Sequence, residues 1–366
     1  MSVSNLRELL ELGVNSGASD WHIREETAAT IRISGDLVET DFVTDKQFLQ
    51  DIMKTMATAD MIEKLRVVGD LDLSYVEDGI GRFRVNIHRQ RGMLGMSMRH
   101  VKSKIANFEE LGLPKENIET IASSERGIII LSGTTGSGKS TTLASMIQHI
   151  NLTSRKHIVT IEDPIEYEFH DAKSIVEQRE VGLDTETFRS ALVHVLRQDP
   201  DIIMVGEMRN GESFDAGLQA SDTGHLVMTT LHSTNAYQAV NRILDFYRFE
   251  EQQAIRSALA VNLRAVICQR LIPRAYGGGV IPAVEIMVNS PIVRKLIETN
   301  KLEKLPAAIE SGRQDGMQSF NQSLLKLVNE GIITEEDALK SSNNAESLKM
   351  NLKGIFLDSS AQVIGE

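Results

Sequence analysis

Gly133-Thr134-Thr135-Gly136-Ser137-Gly138-Lys139-Ser140 fits G-x-x-x-x-G-K-[ST], a loop whose backbone amides wrap nucleotide phosphates. The apolar run Gly127-Ile128-Ile129-Ile130-Leu131-Ser132 precedes it and reads as a buried strand. After it, Leu143, Met146, Ile147 and Ile150 recur at helical spacing, so the loop opens a helix. A helix start presents unpaired N–H groups and a positive dipole end, which is what an anionic phosphate requires. The expected nucleotide site comprises Gly133, Thr134, Thr135, Gly136, Ser137, Gly138, Lys139, Ser140 and Thr141. Lys139 neutralises β/γ-phosphate charge, and the Ser140 hydroxyl is the expected ligand of Mg²⁺ beside ATP.

The 366 residues suffice for two domains, each with its own core. Hydrophobic content of 41% and charged content of 25% are ordinary for a soluble globular chain. Lys+Arg 39 against Asp+Glu 51 gives a net charge of −12, which argues against a general nucleic-acid surface. The one cysteine, Cys268, excludes a disulfide framework and any multi-cysteine zinc site, and points to a reducing compartment. The first residues show no basic leader followed by an apolar stretch, and no window approaches the length of a membrane span. The expectation is a cytoplasmic protein that reaches a membrane through a partner.

Organisation changes near residues 101–115. Before them stand a short amphipathic helix (Leu6, Leu9, Leu10) and alternating segments, among them Thr30-Ile31-Arg32-Ile33, Leu71-Asp72-Leu73-Ser74-Tyr75 and Arg82-Phe83-Arg84-Val85-Asn86-Ile87. With glycines at 35, 79 and 81 marking turns, this reads as a half-exposed antiparallel sheet. From about residue 116 buried strand, loop and helix repeat, as in Ile158–Ile161, Ile202–Val205 and Leu226–Thr230, the pattern of a mostly parallel α/β sheet. The last eighty or so residues turn helical, with Phe320, Leu324, Leu327 and Val328 on one face, Gly331 ending that helix and Thr334 capping the next. The tail after Ser341 reads as polar and loose. The expected division is an N-terminal α+β domain over 1–101, a linker over 102–115, an ATPase core over 116–285 and a helical region over 286–366.

Asp201-Ile202-Ile203-Met204-Val205-Gly206-Glu207 ends a buried strand in a carboxylate. Placed at the carboxyl edge of an open α/β sheet, where ligands bind, Glu207 is positioned to orient or deprotonate the attacking water. Asp201 sits before the strand, at the wrong end for a metal, and reads as a cap. Between the loop and Glu207, Thr160-Ile161-Glu162-Asp163-Pro164-Ile165-Glu166 crowds acids behind another strand. Glu162 and Asp163, with Glu166 less strongly indicated, suit a role in polarising water or binding Mg²⁺ through it. His225 and His232 bracket the strand Leu226–Leu231. No third ligand at metal spacing accompanies them, so they read as γ-phosphate sensors, with His225 coupling nucleotide state to motion.

These boxes, in this order and spacing, resemble the secretion ATPase superfamily and, within it, the type IV pilus retraction ATPases of the PilT/PilU type. The resemblance extends from Gly17-Ala18-Ser19-Asp20-Trp21-His22-Ile23 to Gly316-Met317-Gln318-Ser319-Phe320, nearly the whole chain. It implies a PAS-like N-terminal domain, a RecA-like P-loop ATPase domain and a homohexameric ring. Such a ring hydrolyses ATP to depolymerise pili through an inner-membrane platform protein in twitching motility, in some cases beside a paralogous retraction ATPase. It also implies that N-terminal-domain arginines reach a nucleotide; here Arg84, Arg91 and Arg99 are the candidates. Relatives that assemble pili or secrete carry a late four-cysteine zinc module. Here Arg270-Leu271-Ile272-Pro273 passes through Gly277-Gly278-Gly279 directly to Glu285, without room for it. Pro291–Glu298 resembles the PilT retraction helix and Asn344–Lys353 the PilU C-terminal extension, so the balance leans to PilU. Two other functions stand beside the motor: an accessory ATP-binding ring of low turnover that assists a partner motor, and a nucleic-acid translocase, which the charge disfavours.

Overall fold

The computed structural model describes residues 5–355. They fall into two compact units, one reaching Lys104 and taking in Pro164–Glu168, the other holding Ile105–Asp163 and the chain from Phe169 onward.

The first unit runs α1 (Leu6–Asn15), β1 (Ala18–Arg24), β2 (Thr27–Ile33), β3 (Asp36–Thr44), α2 (Lys46–Met56), α3 (Ala59–Val68), β4 (Asp70–Glu77), β5 (Gly81–Gln90) and β6 (Met93–His100). Its strands form one antiparallel sheet in the order β3-β2-β1-β6-β5-β4. Two-residue turns with both residues left-handed, Ser34-Gly35 and Arg91-Gly92, join β2 to β3 and β5 to β6, because such turns match the right-handed twist of paired strands. Alternation puts Phe83, Val85, Ile87, Met96 and Met98 inward with Trp21 and Ile23, beneath Leu9 and Leu10 of α1. The stretch between β3 and β4, unassigned by the strand-based reading, folds as two helices: Asp45 caps α2 and Leu49, Ile52 and Met53 form its buried stripe.

The second unit continues with α4 (Lys115–Ala122), β7 (Gly127–Ser132), α5 (Lys139–Thr153), β8 (His157–Glu162), β9 (Ile175–Glu180), α6 (Phe188–Val195), β10 (Ile202–Val205), α7 (Gly211–Asp222), β11 (Leu226–Leu231), α8 (Ala236–Leu244), α9 (Gln252–Asn262), β12 (Leu263–Pro273) and β13 (Val280–Val288). Its seven-stranded sheet has the order β13-β12-β7-β11-β10-β8-β9. Every pair is parallel except the hairpin of β12 with β13 at one edge. Strands β7, β10 and β11 are buried along their whole length, as a sheet covered on both faces demands. Because these strands run the same way, the residues that follow β7, β8, β10 and β11 gather along one edge.

Helices α10 (Pro291–Glu298), α11 (Leu305–Ser311), α12 (Phe320–Asn329), α13 (Glu335–Ser341) and α14 (Ala345–Leu352) complete the unit. Phe320, Leu324 and Leu327 are the buried face of α12, and Thr334 caps α13. The tail differs from the expectation of a loose segment: Asn344 caps α14, and Leu348 is buried against the core. Leu352 packs beside it, so a capped polar helix is docked through two leucines. Residues 356–366, part of that tail, lie outside the described residues. Among the described residues no helix is long and apolar enough to cross a membrane.

Candidate nucleotide site

Three glycines of the loop after β7 hold backbone conformations that side chains resist: Gly133 at φ +156°, Gly136 at +76° and Gly138 at +86°. A Cβ at Gly133 would stand 2.3 Å from the Ser137 hydroxyl, and one at Gly138 2.6 Å from the side-chain nitrogen of Gln269. Gly138 is the N-cap of α5, so the loop ends where the helix presents its free N–H groups. The Lys139 side chain is buried and its ammonium donates to the carbonyls of Gly133 (2.9 Å) and Thr134 (3.0 Å), folded back into its own loop.

Whether these residues suit a triphosphate and a metal can be read from their donors. The Ser137 hydroxyl is buried without a hydrogen-bond partner, a donor held ready for an anion, and Lys139 supplies the cation. Ser140 stands on the first turn of α5. Among the described residues no group of three or more His, Cys, Asp or Glu is arranged to hold a metal ion by itself. The Ser140 hydroxyl is a hard oxygen donor of the kind Mg²⁺ takes beside carboxylates, phosphate oxygens and water.

Glu207 follows β10 at the same edge of the sheet. Arg209 Nε donates to one of its oxygens at 2.9 Å, and His232 Nε2 stands 3.3 Å from the other. The Glu207 side chain is 21% exposed, accessible to water yet fixed in direction from two sides. Thr230 of β11 donates to the carbonyl of Gly206 at 2.6 Å, tying the ends of the two strands together. Glu162 closes β8, buried, accepting from Thr160 (2.7 Å) and from Gln178 of β9 (3.1 Å). Asp163 beside it is exposed. Glu166 belongs with the first unit, where Tyr167 bridges Lys102. Asp201 sits before β10 and accepts from the His157 backbone (2.8 Å) and Lys156 (3.1 Å). Burial pushes its carboxyl up, but these bonds and the Lys156 charge together outweigh it and hold the group below its usual value.

The two histidines separate, and this corrects the choice of His225. It precedes β11 and lies at the amino edge of the parallel sheet, away from the loop. There its Nδ1 donates to the Ala220 carbonyl at 2.8 Å and its own carbonyl accepts from Gly127, the first residue of β7. His232, which follows β11, is the histidine that reaches Glu207. The candidate arginines separate as well. Arg84 and Arg99 are directly opposite on β5 and β6, and Arg99 Nε donates to Asp20 at 2.7 Å. Arg91 sits in the turn at the other end of that hairpin, seven residues beyond Arg84, on the order of 20 Å along a strand. The three cannot converge from one copy on a single phosphate.

Gln269 joins the site without a motif to mark it. It is buried in β12, accepts from the Thr142 hydroxyl of α5 at 2.8 Å, and closes against Gly138. A glutamine inside the apolar run Leu263–Pro273 was its signal, since a buried amide needs a partner. Ser132, the last residue of β7, is likewise unforeseen; its hydroxyl meets that of Ser233 at 2.6 Å, tying the start of the loop to the residue after His232. A cavity of about 240 Å³ opens beside Gly138 and Thr141, walled by Leu111, Leu271, Val280 and Pro282, with Arg274 among its lining residues.

Comparison with known proteins gives this geometry a family. The model of the type II/IV secretion system protein family matches residues 3–340. The chain is 40% identical over 339 residues to the type IV pilus retractation ATPase PilT of Pseudomonas aeruginosa, spanning 91% of this chain and 97% of that one. It is 37% identical over 351 residues to the type IV pilus ATPase PilU of the same organism, spanning 94% and 91%. A crystal structure of the pilus retraction motor PilT with bound ADP superposes with a TM-score of 0.87 at 40% identity, covering 95% of this chain and 99% of that one. With a glycine-strained phosphate loop and an oriented glutamate on the same sheet edge, the chain belongs to the type II/IV secretion system family, and within it to the type IV pilus retraction ATPases of the PilT/PilU type.

Proposed function

We propose that this chain is the ATP-hydrolysing subunit of a homohexameric motor that retracts type IV pili. The observation that carries the reading is the placement of Glu207 between Arg209 and His232 on the edge where the Lys139 loop opens. In this role Lys139 leaves its loop carbonyls for the β- and γ-phosphates, and Ser137 and the loop amides bind phosphate oxygens. The base enters the cavity walled by Leu111, Leu271 and Pro282. Mg²⁺, held by the phosphates and Ser140, would neutralise charge that develops during cleavage. Glu207 orients the attacking water and takes its proton, while Arg209 and His232 keep the carboxylate aimed. Glu162 and Asp163 add negative charge for the water shell around the metal. His232 senses the γ-phosphate, a role the sequence offers to both histidines, and takes over the coupling to motion expected of His225.

On this reading the first unit is PAS-like, and Arg84 and Arg99, paired across the sheet, address the nucleotide. The RecA-like core, expected over 116–285, takes in all of β13 to Val288, and Pro291–Leu352 supply the helical region. The ring works in the cytoplasm against an inner-membrane platform protein, in the company of a paralogous ATPase where one exists. The test is steady-state hydrolysis by the purified chain, paired with filament imaging in cells that lack it. Turnover by the chain alone and filaments that no longer shorten support the reading. An isolated chain that binds ATP and turns over only beside another motor would instead mark the accessory ring, and DNA-stimulated turnover at physiological salt the translocase.

A further inference from the structure

Arg270 follows Gln269 on β12 and is half-buried. Its guanidinium lies 4.2 Å from the centroid of the Phe320 ring, the first residue of α12. One Nη donates to the carbonyl of Ser341 at 2.5 Å; the other donates to the carbonyl of Thr234 at 3.0 Å and to Asn343 Oδ1 at 2.5 Å. Its charge also acts on Glu285, a buried carboxylate on the neighbouring strand β13. Glu285 accepts from the backbone N–H of Ala236, the first residue of α8, at 2.8 Å, and from that of Phe320. The turn from His232 to Asn235 is therefore held from two directions. Ser233 is bound to Ser132 beside the phosphate loop; Thr234 and Ala236 are bound to Arg270 and Glu285. The same guanidinium holds the link between α13 and α14. A planar guanidinium reaches these three acceptors from two separate nitrogens while it stacks on Phe320, whereas a lysine offers a single nitrogen.

We propose that Arg270 is a positioning residue for hydrolysis: by gripping Thr234 it sets His232 against Glu207, and by gripping Ser341 and Asn343 it makes that placement depend on the docking of the C-terminal helices. The proposal rests on the reading that Glu207 and His232 serve ATP cleavage. It assigns to β12 and to the α13–α14 link a part in the chemistry, beyond packing.

The experiment is a two-by-two cycle in the full chain, combining Arg270→Lys with His232→Ala and measuring kcat and KM for ATP per binding-competent site. Arg270→Lys alone should lower kcat about tenfold or more, as a displaced group does, with KM within about twofold. In the His232→Ala background the same substitution should change kcat by less than about twofold, because the residue it positions is gone. Asn343→Ala, which loosens only the C-terminal grip, should lower kcat in the same selective way and gives the cycle a milder arm if Arg270→Lys does not accumulate folded. Equal fold losses in both backgrounds would show a merely structural role and overturn the proposal. So would wild-type turnover in both Arg270→Lys and Asn343→Ala. His232→Ala with wild-type kcat would instead overturn the reading of the site on which the proposal stands.

Discussion

Gly13→Ala sets two opposed effects against each other at one buried position. Gly13 lies inside α1, where alanine gains about 1 kcal/mol in helix propensity. Against that, the added Cβ would stand 2.3 Å from Cζ2, 2.5 Å from Cε2 and 2.6 Å from Nε1 of Trp21. Carbon atoms in contact need about 3.5 Å, so helix and indole must part by about 1 Å. The indole has little room to yield. It is fully buried, meets Phe83 edge-on at 5.3 Å between centroids, and donates from Nε1 to the Leu9 carbonyl at 3.0 Å. Overpacking of this kind costs about 1–3 kcal/mol, and a stretched buried hydrogen bond about 1 kcal/mol more. The loss exceeds the gain, leaving a net destabilisation of about 2 kcal/mol. Trp21 is the chain's one tryptophan and lies in the first unit, so its fluorescence reports that unit alone. At an m-value of about 2 kcal/mol/M, the urea midpoint by tryptophan emission should fall by about 1 M. A midpoint equal to or above that of wild type would mean that α1 does not press on Trp21, and would refute the packing derived for this unit.

The separated histidines predict a contrast: His232→Ala should lower kcat by about 10–100-fold, whereas His225→Ala should leave kcat within about threefold; a larger loss from His225 than from His232 would contradict the placement. Asp20 gives a pH test. Burial pushes its carboxyl up, but hydrogen bonds from Ser19 and Arg99 and the Arg99 charge outweigh it and hold the group below its ordinary value. Its stabilisation is therefore present above about pH 4 and is lost as pH falls through the lowered native value. Asp20→Asn should lower the tryptophan-monitored urea midpoint at pH 7 and flatten the acid limb below pH 4; an unchanged acid limb would contradict the ion pair's contribution.

The phosphate loop is legible in the sequence because its geometry is written in residue types: positive φ at Gly136 and Gly138 admits little else, and the cationic Lys139 follows at fixed distance. The strands β7, β10 and β11 are legible for a similar reason, since a strand covered on both faces reads as an unbroken apolar run. Glu207 follows from chain direction, because a residue after a parallel strand sits at the ligand edge. The same rule favours His232 over His225, and the strand's polarity had to be applied to both histidines to separate them. Gln269, Arg270 and Glu285 were out of reach for another reason. Each works through contacts with groups distant in sequence: Thr142 for Gln269, Ser341 and Asn343 for Arg270, Ala236 for Glu285. Nothing local in a strand sequence encodes which distant partner a buried polar group will meet. Helices α2 and α3 are masked in the sequence by the alternating segments on either side, and their only local marks are the Asp45 and Thr58 caps.

The central claim is that ATP is cleaved where the loop of Lys139 faces Glu207. Single-turnover hydrolysis of bound ATP by Glu207→Gln, with nucleotide affinity measured on the same protein, tests it most directly. Affinity within about threefold of wild type and a cleavage rate lowered at least about 100-fold are the expected result. Cleavage at close to the wild-type rate by this variant would contradict the account.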